Sequence, residues 1–251
     1  MRRNSACDRI TEENHCKKRD CIMANTIAHL AVAQRVLEAR PELVSLKFNY
    51  YLGTIAPDTI DSKVGALRDD KKLVHLRTGI SDRDWLRPDK MAIFDRRIED
   101  FARESILEEE DLHHRDFSIG YIVHLLTDKV NHATIRQTIL REIDTEGTGG
   151  DKSHIPVFIN ELEGMDCYLI RNKPELSALF YTVMELPVKN CMPGRVEAEY
   201  IEKSLKWWKY EYIPRIATRK PEILSPADIE NFVSQAAEYI LSELDRLLIV
   251  R

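Results

Sequence analysis

Residues 120–132 read GYIVHLLTDKVNH. Tyr121, Ile122, Leu125, Leu126 and Val130 are apolar, and the early part of the run is apolar nearly all round. A helix of that kind belongs in the middle of a bundle. The periodic segment runs from Phe117 to about Ile143 and is the longest in the chain. His124 and Asp128 interrupt it four residues apart, so they share one face, one turn from each other. A carboxylate buried there is costly unless it is paired or holds a metal. An imidazole and a carboxylate at this spacing can chelate one zinc ion, although a structural His–Asp hydrogen bond uses the same spacing. His132 extends the row by one further turn.

Helical patterns continue on both sides. From Asn25 the sequence TIAHLAVAQRVLEA places Ile27, Leu30, Val32, Val36 and Leu37 on one face, with Asn25 or Thr26 as the cap. Leu46–Leu52 is a short apolar stretch, broken by Gly53 and Pro57, so Thr54–Asp58 reads as a turn. Residues 59–88 read as loop-rich. Met91–Leu107 reads as a helix with Ile93, Phe94, Ile98, Phe101 and Ile106 inward. DTEGTGGDKSH, ending at His154, is a loop. Ile155–Ile170, Glu175–Leu186, Arg195–Ile216 and Pro226–Leu248 read as further helices, the last capped by Ser225. The expected fold is an all-α multi-helix bundle.

The bulk properties agree. The 251 residues suffice for one sizeable core, and 43% hydrophobic with 31% charged residues is ordinary for a globular chain. Only nine glycines are present, too few for the turns of a β-rich protein. A formal net charge of −5 argues against nucleic acid or an anionic membrane as the main partner. No apolar run approaches the length that crosses a bilayer, and the N-terminus lacks the apolar core of a secretory signal. The expected location is therefore the cytoplasm, with reduced thiols. Residues 1–22 are charged and aperiodic and are expected to be a disordered extension before a single domain over 23–251, with Met23 as a possible alternative start. Cys7, Cys16 and Cys21 with His15 fit no paired metal-binding spacing.

Five polar groups stand in otherwise apolar settings: His29 in TIAHLAV, Asp58 after YYLGTIAP, His75 in KKLVHLRTG, and the His124–Asp128 pair. Each has an ordinary reading as a core histidine or turn aspartate. As a set, neutral imidazoles and carboxylates converging on one place are what a hydrolytic zinc site requires. Arg77, Arg83 and Arg87 are candidates for neutralising a phosphate, and otherwise belong to a solvated loop. His113-His114 reads as part of a charged loop. Of Trp207 and Trp208, one is expected inward and one at the surface.

The order of a first-helix histidine, G-x-I-A-P-D, V-H-L and G-Y-x-x-H-L-L-T-D resembles the zinc-dependent phospholipase C family, which is related to the S1/P1 nucleases. The resemblance spans roughly Asn25 to His132. It implies an all-α bundle with one to three zinc ions in a cleft, acting on phosphodiester or phosphomonoester bonds. By that resemblance Asp58, His75, His124 and Asp128 form one zinc site. His29 then binds a second zinc bridged to the first by Asp128, and Asp58 also handles the proton of the attacking water. The expected substrate is a small phosphate ester. The chain departs from secreted members in its third site. His132 follows Asp128 by four residues rather than six, and His154 is followed at the glutamate position by Phe158. Glu161, Glu163 and Asp166 are the carboxylates nearby that could replace it. The other reading is a non-catalytic helical binding or regulatory module that keeps a structural metal site.

Overall fold

The computed structural model describes residues 26–145, 155–188, 192 and 195–248. The expectations for the 1–22 extension, His15, Cys7, Cys16, Cys21, Met23, Asn25 and His154 lie outside the described residues. Among the described residues the chain is all-helical, with one isolated bridge between Met192 and Val196. Helix α1 spans Thr26–Ala39, α2 Lys47–Ile55, α3 Arg68–Val74, α4 Pro88–Ala102, α5 Leu112–Ala133 and α6 Ile135–Thr145. Then come α7 Ile155–Asn172, α8 Pro174–Met184, α9 Ala198–Trp207, α10 Ile213–Ile216 and α11 Pro226–Leu248. A 3-10 run, Ala56–Ser62, follows α2, and π-helical turns occupy Arg103–Leu107 and Trp208–Tyr212. No helix among the described residues is long and apolar enough to cross a membrane.

Helix α5 is the axis of the bundle. Every side chain from Asp116 to Lys129 is buried, as the all-round apolar pattern requires. It packs against α1, α2, α4 and α11. The helix begins earlier than its apolar pattern, because Asp111 caps it by accepting a hydrogen bond from the His113 backbone N–H at 2.9 Å. His113 and His114 therefore sit in its first turn, not in a loop. At the other end Thr134 leaves helical geometry, and its hydroxyl donates to the Val130 carbonyl at 2.8 Å. That interruption divides the expected long helix into α5 and α6.

The contact that positions the site lies between α2 and α5. A Cβ on Gly53 would stand 1.9 Å from the Phe117 carbonyl oxygen, and one on Gly120 would stand 1.9 Å from the Tyr50 carbonyl oxygen. Only glycine lets the two backbones come this close. The segment read as a turn at Thr54–Asp58 is thus the end of a buried helix and the start of a 3-10 run. On α4, Phe94, Ile98 and Phe101 are buried as expected, whereas Ile93 is 41% exposed. Adjacent helical residues lie about 100° apart, and the stripe of Phe94, Ile98 and Phe101 leaves Ile93 outside it. Trp208 is buried and Trp207 half-buried. Ser225 and Asp228 cap α11 reciprocally, the Ser225 hydroxyl accepting from the Asp228 N–H at 3.2 Å and Asp228 accepting from the Ser225 N–H at 2.9 Å.

Candidate metal centre

The α2–α5 approach brings the Thr54 carbonyl to the ring of His124, with Nδ1 at 2.8 Å. Pro57 explains why that carbonyl is available. In a 3-10 ladder its partner would be the N–H of residue 57, which proline lacks. On α3, His75 forms the C-terminal cap, and its Nδ1 lies 2.8 Å from the Lys71 carbonyl oxygen. A carbonyl can only accept, so in both rings Nδ1 carries the proton. Each Nε2 then presents its lone pair inward, and the two Nε2 atoms are 3.2 Å apart. Two lone pairs at that distance repel unless a proton or a cation lies between them.

The carboxylates complete the arrangement. Asp58 Oδ1 is 3.4 Å from His75 Nε2, Asp128 Oδ2 is 3.5 Å from His124 Nε2, and Asp128 Oδ2 is 3.7 Å from His75 Nε2. Tetrahedral zinc with bonds of 2.0–2.1 Å separates its ligands by about 3.3 Å. These spacings are long for hydrogen bonds and right for ligands of one ion. Among the described residues no donor meets either Asp128 oxygen with hydrogen-bond geometry. His29, buried on α1, stacks its ring on His124 at 3.8 Å and places Nε2 3.5 Å from Asp128 Oδ1 and 4.0 Å from Asp58 Oδ2. Each carboxylate thus turns one oxygen toward His75 and the other toward His29. His29, His124 and Asp128 offer donor atoms within 4.8 Å of one another, and so do Asp58, His75 and His124.

The electrostatics follow from burial. His29, His75, His124 and Asp128 side chains are at most 1% exposed, while Asp58 is 13% exposed and forms the cluster's edge to solvent. Lys71 stands beside it, 3.4 Å from Asp58 Oδ1 and 3.0 Å from Asp61 Oδ2. Burial lowers the pKa of His29 and of His75. Burial would lower His124 too, but the negative charges of Asp128 and Asp58 outweigh it and raise His124. Burial would raise Asp58, yet Lys71 and His75 pull it below the usual carboxylate range, and His124 does the same for Asp128. Both carboxylates are anions near neutral pH. Leu76, next to His75, has φ +54°. That is strained for a branched side chain, and such strain concentrates at functional sites.

Of the expected site residues, His29, Asp58, His75, His124 and Asp128 come together, and His132 does not. Eight residues on from His124 the helix has turned about 80° away from it. His132 lies instead against Trp85, with ring centroids 4.7 Å apart, and belongs to neither donor group. Burial, with the charges of Arg136 and Arg77, lowers its pKa to about 4. The carboxylates of α7 also have other tasks. Glu161 accepts from the backbone N–H groups of Glu222, Ile223 and Leu224, and Glu163 pairs with Arg215 and Arg219. Asp166 accepts from the Ile27 and Ala28 N–H groups and from the Tyr212 hydroxyl at 2.9–3.2 Å. It therefore caps α1 from across the fold and fixes the helix that carries His29. Arg77 is buried, paired with Asp82 and stacked 3.7 Å over Trp85, so it is not placed for a phosphate. Arg83 is exposed, and Arg87 pairs with Asp89 at 3.2 Å.

The chain matches no protein-family model, no curated protein and no solved structure.

Proposed function

We propose that the protein is a zinc-dependent hydrolase of phosphate esters, of the phospholipase C and S1/P1 nuclease type suggested by its sequence order. The observation that carries this is the pair of Nε2 atoms 3.2 Å apart, each with its Nδ1 proton committed to a backbone carbonyl. Such carbonyl partners are what fix the tautomer of metal-binding histidines. Imidazoles with carboxylates suit zinc among the common cations. His75, His124, Asp58 and Asp128 would hold one ion. His29, with the remaining oxygen of Asp128, would hold a second that keeps open positions.

When bound, zinc acidifies water and neutralises charge on phosphoryl oxygens. The chain's own groups do the rest. Asp58, at the solvent edge, is placed to take a proton from incoming water on Oδ2. The Lys71 ammonium draws an anionic ester to that edge and holds Asp58 ionised. The α2–α5 contact and the Asp166 cap keep His124 and His29 in register. No serine or cysteine nucleophile is required. Metal analysis should find at least one zinc per chain. Turnover of p-nitrophenyl phosphate, bis-p-nitrophenyl phosphate or a phosphocholine ester should be chelator-sensitive and lost in His124→Ala. Absence of bound metal would sink the proposal.

A second reading rests on the near closure of the cluster to solvent. A metal there, or a proton on His124 beside the two carboxylates, would knit α1, α2, α3 and α5 together without turnover. Stoichiometric metal with no turnover on any of these esters is the outcome that selects it.

A further inference from the structure

A cavity of about 330 Å³ lies behind the turn that carries His75. Leu73, Leu76 and Phe101 form its apolar wall, and Arg97 and Arg195 bring two guanidinium groups to it. A smaller cavity of about 170 Å³ shares Phe101, Glu104 and Arg195 with it. The volume is in the range of small-ligand sites. The proposed hydrolysis does not use this space. Tyr121 partitions it from the metal cluster, stacking on Phe101 at 5.3 Å and donating its hydroxyl to the Val74 carbonyl.

Charge pairing around the cavity is uneven. Asp100 and Glu104 line it, but Asp100 is engaged by Arg103 at 2.9 Å and Arg96 at 3.7 Å, and Glu104 by Arg103 at 3.8 Å. Arg97 donates from Nη1 to the Leu76 and Thr78 carbonyls at 2.9 and 2.8 Å, which fixes its guanidinium without neutralising it. Arg195 sits over the Phe101 ring at 5.6 Å, and its Nη1 is closed to solvent without an acceptor among the described residues. A buried donor on a cation left without an acceptor is costly, and native proteins rarely retain one without a purpose. A guanidinium is shaped to receive phosphate oxygens, and the aromatic and leucine wall to receive an apolar body.

We propose that this cavity is a binding site for a small organic phosphate, separate from the metal cluster. Arg195, half-buried, turns its guanidinium to the phosphate oxygens, Arg97 adds charge, and Phe101 with Leu73 and Leu76 holds the organic part. The site stands independently of the hydrolase reading.

Calorimetric titration of the full chain with phenylphosphonate tests it, because the P–C bond cannot be turned over. Wild type should bind. Arg195→Met, which keeps the contact with Phe101 and removes the cation, should weaken binding about ten- to a hundredfold, the loss of one charged hydrogen-bonding group. Thr78→Glu, at an exposed lining position, should weaken it as well without threatening the fold. Binding at the metal cluster would instead survive both substitutions and disappear in His124→Ala. That outcome, or no binding by wild type, overturns the proposal. Inorganic phosphate binding as tightly as phenylphosphonate would overturn the role given to the apolar wall.

Discussion

Gly120→Ala puts the construction of the site to the test. Alanine should favour the helix by about 1 kcal/mol over glycine where space allows. Here its Cβ would stand 1.9 Å from the Tyr50 carbonyl oxygen and 2.9 Å from the Thr54 nitrogen. A carbon needs about 3.3 Å from a carbonyl oxygen, so α2 and α5 must part by more than about 1 Å. The Nδ1–oxygen distance between His124 and Thr54, now 2.8 Å, would then exceed hydrogen-bonding range. Overpacking costs about 1–3 kcal/mol and the buried hydrogen bond about 1–3 more, so the net loss is about 1–5 kcal/mol after the helix gain. At about 2–4 °C per kcal/mol for a chain of this size, Tm should fall by about 2–20 °C. If His124 ligates zinc as proposed, losing the carbonyl that orients it should weaken zinc binding about ten- to a hundredfold. Thermal melts and a competition titration against a chromophoric chelator measure both. A variant as stable as wild type, with unchanged zinc affinity, would refute the claim that glycine contact positions the centre.

Other outcomes follow from individual groups. His132, with its pKa lowered to about 4, adds stability above the unfolded value near 6.5 that is lost as pH falls through 4, about 3 kcal/mol at most. Urea unfolding at pH 7 and pH 4 should show that loss shrinking in His132→Gln, and an equal loss in both chains would contradict it. Asp166 has the opposite sign, since burial raises its carboxyl to about 7 against the opposing donors Tyr212, Ile27 and Ala28. Its contribution is full below about pH 4 and declines as pH rises through 7, so Asp166→Asn should flatten stability over that window. Native mass spectrometry should find two zinc ions in wild type, one in His29→Ala and fewer than two in Asp128→Asn. Full occupancy in His29→Ala would remove the second ion from the proposal.

The candidate ligands were legible in sequence because each is a polar residue set into an apolar run. His124 and Asp128 came from helical spacing, and His29, Asp58 and His75 from their surroundings and order. The parts that hold them are backbone features that composition does not reveal. Thr54 matters through its carbonyl, which Pro57 sets free, and Gly53 and Gly120 matter through a clearance. Asp166 caps a helix 138 residues away in sequence, so no local capping pattern announces it. His132 misled because a stripe at i, i+4 and i+8 drifts round the helix. Arg77 looked solvated because its partners, Asp82 and Trp85, are brought to it only by the turns after α3.

Charge balance decides between the two readings of the cluster. Asp58 and Asp128 carry two negative charges in a setting with almost no water, and an uncompensated pair would cost far more than a domain's net stability. Lys71 supplies one positive charge. Without metal the second falls to His124, whose pKa burial lowers but Asp128 and Asp58 raise. Its Nε2 proton would then lie toward His75 Nε2, 3.2 Å away. A zinc ion occupying the same place must displace that proton, so metal uptake and proton release are coupled. Calorimetric zinc titrations near neutral pH, in two buffers of different ionisation enthalpy, should therefore give different apparent heats, and affinity should rise with pH. Identical heats would mean that His124 is already neutral before metal arrives. The metal-free cluster would then carry an unbalanced charge, and the reading of it as a self-sufficient ion-pair network would fail.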